Sequence, residues 1–280
     1  MLDQEKIDFI TEYDITVRIS HDAMAQALRG PDPFDEPGRL EIFRQLWKVR
    51  GDKFGFNSVI TSGNSDVLAI ADWFREKIGG PVSVSFEGVV HSYDIDNRDN
   101  HADWTAEQYR QMQYNVMKAL ISDSDLARNS VLGAKAENFI ASLREKRPSS
   151  SLGQKCGMDR PDYLAVDLKG NVTTCQNVGS AGKHGIGHVS DIDAIALDTS
   201  WHWSKRENCS HCPMLQLCKG ACMYNEGEDF VLSCENEFHF NWAIMTGALY
   251  WLTGKLMVGI EGDIRRPARR RVIPLTAIAA

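Results

Sequence analysis

"CSHCPMLQLCKGAC", residues Cys209–Cys222, places four of the chain's seven cysteines in one short segment. Thiolates are soft ligands, and four of them arranged about a point select iron–sulfur clusters or zinc. Cys209 and Cys212 have the two-residue gap that lets neighbouring thiolates converge on one centre. Cys218 and Cys222 lie one helical turn apart and share a side if that segment is helical. Cys156, Cys175 and Cys234 flank the segment, and no cysteine precedes Cys156. The count is odd, and closely spaced cysteines in a reducing compartment point to metal or redox chemistry rather than disulfides.

Zinc is the simpler alternative. It wants four tetrahedral ligands, often as two CxxC knuckles, and this chain has one CxxC. Seven thiols divide into two complete zinc sites only with a histidine, for which His211, His184 and His188 are the candidates.

Read outward, the pattern is Cys156-x13-Gly170-x4-Cys175, then Cys209-x2-Cys212-x5-Cys218-x3-Cys222, then Cys234. This resembles the seven-cysteine SPASM domain, the C-terminal auxiliary-cluster domain of radical SAM enzymes that modify peptides and proteins. The resemblance is carried by about Cys156–Trp251. It implies two 4Fe-4S clusters, one held by Cys156, Cys175 and Cys222 and the other by Cys209, Cys212, Cys218 and Cys234. Three thiolates leave one iron of the first cluster to another ligand or to substrate. Clusters bound in this way also stabilise a small domain.

The preceding half alternates strand-like and helix-like segments. "DITVRIS" (Asp14–Ser20), "FGFNSVIT" and "VSVSFEGVV" read as strands. Leu40, Phe43, Leu46 and Trp47 form one helical stripe, and Val67, Ile70, Phe74 and Ile78 another, with Asn64 as N-cap and Gly79 as stop. Thr105 and Gln108 form a capping box ahead of a helix to about Ile121, and a further helix is expected over Asp125–Lys146. Strand–helix repetition of this kind means a parallel sheet with crossover helices. The pattern leaves that sheet open or barrel-like, and the resemblance implies the fold class α/β, with an incomplete parallel (β/α) partial barrel followed by a small cysteine-rich α+β SPASM domain. "RPSSS" (Arg147–Ser151) marks the boundary, which gives domains at 1–147 and 148–251 and a C-terminal extension with a basic tail at 252–280. Past the boundary we expect two short strands joined at Lys169–Gly170–Asn171, a loop "GKHGIGH", and a C-terminal helix from near Glu237.

Beside the SPASM pattern, "ITVRISHDA" resembles the middle strand of the radical SAM barrel, usually "ISxDG", with Ala23 where the family has glycine. The resemblance makes Ser20 and, on the next strand, Asn57 contacts to S-adenosylmethionine. Ordinary strand polar residues are the alternative for both. The family also carries a CxxxCxxC loop, whose cluster chelates S-adenosylmethionine and cleaves it to a radical. No such loop occurs here, so no catalytic residue is assigned and this chain alone is expected not to cleave the cofactor. A truncated product, half of a split enzyme with a separate chain carrying the loop, and an autonomous cluster protein are the explanations. S-adenosylmethionine counts as a cofactor only if the missing portion is supplied.

The formal charge of −7 argues against nucleic acid as a partner, because phosphate binding needs a basic face. The basic run Arg265–Arg271 reads as a solvated tail. "NWAIMTGALYWLTGKLMVGI" (Asn241–Ile260) approaches membrane length, but Lys255 and its scattered aromatics read as a buried or amphipathic helix. The N-terminus has no signal-like apolar core, and a cytoplasmic protein is expected. The function expected is the auxiliary-cluster and substrate-facing portion of a radical SAM enzyme acting on a peptide or protein. A non-catalytic iron–sulfur carrier or a zinc-stabilised interaction domain are the alternatives. Trp201, Trp203 and Lys205, just ahead of the cysteines, either shape the cluster surroundings or pack in the core.

Overall fold

The computed structural model describes residues 2–87, 103–122, 126–127 and 130–267. The chain divides into two compact units, one of residues 1–90, 99–147 and 239–260, the other of 91–98, 148–238 and 261–280.

The first unit begins with α1 (Gln4–Glu12), a helix not expected from the sequence. Its signals are short: the Asp3 carboxylate accepts from the Lys6 amide, and Ile7 and Ile10 are the buried pair one turn apart. Three strands follow, β1 (Val17–Ser20), β2 (Phe54–Val59) and β3 (Ser83–Glu87), paired parallel in that order. Parallel neighbours need long crossovers, and α2 (Arg39–Arg50) and α3 (Val67–Ile78) provide them. Strand β1 is shorter than the expected Asp14–Ser20. Asp14 sits at φ 54 and is tied to Arg50 and Lys53 instead of to a strand.

Alternation on the strands separates two faces. Phe54, Phe56, Val84 and Phe86 are buried, and Phe56 stacks on Phe74 of α3 with centroids 4.3 Å apart and meets Phe43 of α2 edge-on. The other face carries Arg18, Ser20, Asn57, Ser83, Ser85 and Glu87 and keeps access to solvent. Gly55 lies there because a β-carbon would stand 2.4 Å from the Ser83 carbonyl oxygen.

Helix α3 buries the expected stripe and stops at Gly79, whose φ is 93. Its N-cap is Asp66, whose carboxylate accepts from the amides of Leu68 and Ala69. Asn64 is engaged elsewhere, donating from Nδ2 to the Asp22 carbonyl at 3.0 Å. Helix α4 (Ala106–Ile121) starts with the Thr105–Gln108 capping box. Helix α5 spans Val131–Arg144, shorter than expected, because the Ser130 hydroxyl accepts from the amides of Leu132 and Gly133 and caps it there. Part of the expected extension, and the end of the third strand at 88–90, lie outside the described residues.

The second unit has an antiparallel sheet of β4 (Ala165–Val166), β5 (Asn171–Thr173) and β6 (Gly185–His188). Part of "GKHGIGH", expected to be loop, is thus a strand. It is drawn into pairing because His188 reaches back from Nε2 to the Lys169 carbonyl at 3.0 Å. The short helix α6 covers Leu215–Cys218. The last helix, α7, runs over Gly227–Thr253 and starts ten residues before the expected Glu237, so Cys234 is helical. Its later part belongs to the first unit, where Trp251 donates from Nε1 to the Leu120 carbonyl at 2.7 Å. Among the described residues no helix is long and apolar enough to cross a membrane.

Candidate metal centres

The thiols are placed by loops more than by regular elements. The segment Cys209–His211 makes a single 3₁₀ turn, and α6 ends at Cys218. Helix does not continue to Cys222 as the sequence spacing allowed. Lys219, Gly220 and Ala221 all adopt positive φ, 52, 87 and 61 respectively. Three left-handed residues in a row are costly for side chains other than glycine. They reverse the chain and take Cys222 off the helical face of Cys218. At Gly220 the tight turn also lies against Trp203, whose Cβ would be 2.7 Å from an added methyl.

Cys209, Cys212, Cys218 and Cys234 line one partly open cavity, with Met214, Leu215 and Phe238 among its apolar walls. Burial pushes all four thiols up, Cys234 to about 12. Cys218 receives the Ala221 amide at 3.1 Å, a donor aimed at sulfur by the left-handed turn.

Cys156, Cys175 and Cys222 differ. Cys156 is exposed, with its sulfur 3.8 Å from the Met223 thioether. Cys175 has its thiol pushed up by burial, and also by the neighbouring Cys222 and Cys156 sulfurs, while accepting weakly from the Asn177 amide at 3.5 Å. No three His, Cys, Asp or Glu side chains among the described residues sit close enough to hold a single metal ion. The donor set in the cavity is nonetheless all soft sulfur spread around a space, which fits a multi-iron cluster that holds its thiolates apart on separate irons.

The histidines offered for zinc have other partners. His184 is buried, shares Nδ1 with the hydroxyls of Thr174 and Thr199, and meets the Tyr224 ring at 4.4 Å. His188 is tied to Lys169 and Ser190. His211 is exposed beside the thiols.

Two cations lie here, Arg206, which the sequence did not single out, and Arg266 of the basic run. Arg206 is buried, and its guanidinium lies 3.7 Å over the Phe230 ring. Arg266 lies 3.8 Å over Phe238, and with Arg265 and Pro267 it lines the four-thiol cavity. The start of the basic run is therefore part of the cavity wall rather than free tail; its residues from 268 onward lie outside the described ones. Trp203 is half-buried against Gly220 and donates to the Leu152 carbonyl, and Lys205 is exposed.

In the first unit, Ser20 and Asn57 are paired across β1 and β2 at their C-terminal ends, where parallel sheets bind ligands. Ser20 is exposed, and Asn57 donates from Nδ2 to Glu87 at 2.6 Å. Glu87, at the end of β3, escapes a sequence reading because nothing local marks a strand-end carboxylate. The loop after β1 is held by His21, fully buried against Trp73 and Phe34. Its Nδ1 accepts from the Ala23 amide, so Nε2 carries the proton donated to Asp32 at 3.0 Å. Burial pushes this imidazole down, against the pull of Asp32, and keeps it neutral. Ala23 itself sits at φ 48, the left-handed region that explains why a glycine suits this position.

No protein-family model matches the chain, and no curated protein matches it. Solved structures do. Native anSMEcpe with bound AdoMet is similar with a TM-score of 0.58 and 17% identity, over 90% of this chain and 71% of that one. A histidine-tagged form of anSMEcpe with bound AdoMet gives 0.59 and 18%, over 90% and 68%. Native anSMEcpe with AdoMet and the Kp18Cys peptide gives 0.57 and 17%, over 89% and 73%. That protein is an anaerobic sulfatase-maturating radical SAM enzyme with a SPASM domain. At this identity the likeness is one of fold: the chain shares with these structures a mixed α/β fold built on a three-stranded parallel sheet.

Proposed function

We propose that this chain is the auxiliary-cluster and substrate-facing portion of a radical SAM enzyme that modifies a peptide or protein. The observation that carries the reading is the sorting of seven thiols into four around one cavity and a separate set in which Cys175 feels the sulfurs of Cys222 and Cys156. In this reading Cys209, Cys212, Cys218 and Cys234 hold one 4Fe-4S cluster, and Cys156, Cys175 and Cys222 hold another. Bound there, such clusters supply one-electron transfer. The protein's own contribution is to exclude water with Met214, Leu215 and Phe238 and to aim the Ala221 and Asn177 amides at sulfur. Ser20 and Asn57 are the proposed contacts to S-adenosylmethionine, with Glu87 orienting Asn57. Neighbours of the same fold bind AdoMet and the Kp18Cys and Cp18Cys peptides, which supports a peptide substrate.

No CxxxCxxC loop occurs in this sequence, so radical generation is assigned to none of its residues. The same observation supports a second reading, a non-catalytic iron–sulfur carrier. Anaerobic reconstitution tests the shared part: we expect broad visible absorption and about eight irons per chain. A colourless protein with stoichiometric zinc would refute it. Calorimetric titration with AdoMet bears on the choice: binding that is lost in Asn57→Ala supports the enzyme portion over the carrier, which needs no AdoMet site. The chain alone should release no 5′-deoxyadenosine under reducing conditions.

A further inference from the structure

A buried arginine normally has a carboxylate beside it. Arg206 has none among the described residues. Its Nε donates to the Trp201 carbonyl at 3.3 Å, and Nη2 donates to the carbonyls of Cys222 and Asn225 at 3.0 and 2.7 Å. The Phe230 ring covers the guanidinium face. These are neutral partners, and they compensate the hydrogen-bonding capacity of the group but not its charge. It is tied to both thiol groups, since its own carbonyl accepts from the Cys209 amide at 3.2 Å while its side chain holds the Cys222 carbonyl. Burial, which disfavours its charge, is opposed by the thiols of Cys209, Cys222, Cys218 and Cys234. Lys155 provides the contrast. It also feels Cys218 and Cys222, but it is ion-paired with Glu237 at 3.5 Å and so brings little net charge.

We infer that Arg206 is the built-in counter-charge of the two thiol-held centres, a positioning residue that ties the Cys222 turn in place and makes reduction of the centres easier. The inference rests on the cluster reading above. A cluster carried by thiolates has net negative charge and gains more on reduction, and a fixed cation in a low-dielectric surrounding favours the reduced form. Arginine suits the task better than lysine, because its planar fork can reach three carbonyls while its charge stays unneutralised. Arg266 lines the four-thiol cavity but is solvent-exposed, and it should matter less because water screens it.

The test is a spectroscopic redox titration of the reconstituted full chain, with iron content measured alongside, for wild type, Arg206→Gln, Arg206→Lys and Arg266→Gln. We expect Arg206→Gln to move a midpoint to more negative potential by at least a tenfold change in the reduced-to-oxidised ratio, about 59 mV for one electron. Arg206→Lys should stay within about threefold of wild type, and Arg266→Gln should shift less than Arg206→Gln. An iron-loaded Arg206→Gln with unmoved midpoints overturns the inference. If Arg206→Gln takes up no iron, Arg206→Lys decides: loading with a near-wild-type midpoint supports the charge role, and failure to load overturns it. Wild type that binds no iron removes the cluster reading itself, a result distinct from either.

Discussion

The sheet unit and the cysteine-rich unit solve the problem of stability by different means. In the first, Phe54, Phe56, Phe74, Leu46 and Ile70 are fully buried around a parallel sheet, and each contributes roughly 1.5–3 kcal/mol by leaving water. In the second, strands run two to four residues, three consecutive residues are left-handed, and a central cavity is walled by thiols. On the cluster reading proposed above, bound metal would add to the apolar burial of Met158, Val172, Met214 and Met223 in closing such a core. The contrast teaches where each unit is vulnerable: the sheet to a misplaced methyl, the thiol unit to loss of sulfur or metal.

The largest effect should come from Cys218→Ser, which removes one of the four sulfurs walling the cavity. We expect about four of about eight irons to be lost, and the thiol unit's melting transition to fall by on the order of 10 °C, while the sheet unit's transition stays put. A single unshifted transition in calorimetry would erase the contrast. Gly55→Ala strikes the other side. Its methyl would meet the Ser83 carbonyl oxygen at 2.4 Å, so the β2–β3 pairing must shift at a cost of about 3 kcal/mol. Urea unfolding should show the loss, and iron content should not change.

pH gives a more modest, signed test. Burial raises Cys218 and Cys234 in the folded metal-free chain, Cys234 from 9.0 to about 12. A thiol whose folded value is raised contributes stability that is complete below its unfolded value and is lost as pH climbs through the folded one. The reduced, chelated thiol unit should therefore weaken between about pH 9 and 12. Cys234→Ser should flatten that slope; an identical slope would mean this thiol is not buried in solution. Ala23→Gly should do least. Relief of its left-handed backbone is worth about 1 kcal/mol, and the buried methyl it loses costs about 0.8 kcal/mol. A change beyond ~1 kcal/mol in either direction would show that the loop after β1 is held otherwise.

Much of the sheet unit is legible in the sequence because its signals are local. The Thr105–Gln108 capping box, the stripe from Val67 to Ile78 and the stop at Gly79 each depend on residues within a few positions. Asn64 looks like a cap in the sequence, but its real partner, the Asp22 carbonyl, is distant along the chain. Helix α7 starts earlier than its sequence suggests because "GEDFVLSCEN" is polar, and its helicity comes from the packing of Cys234 and Phe238 on the cavity.

What the sequence determined by itself was the chemistry available: soft sulfur ligands late in the chain, no thiol before Cys156, and period-2 and period-3.6 patterns for an α/β sheet. What only the tertiary structure decided was company. Three left-handed residues part Cys222 from Cys218, the fork of Arg206 spans Trp201 to Asn225, and Glu87 meets Asn57. Propensity and ligand chemistry act over a few residues and are written in order along the chain. The burial of an uncompensated charge and the direction in which a thiol faces depend on segments that meet only when the chain has folded.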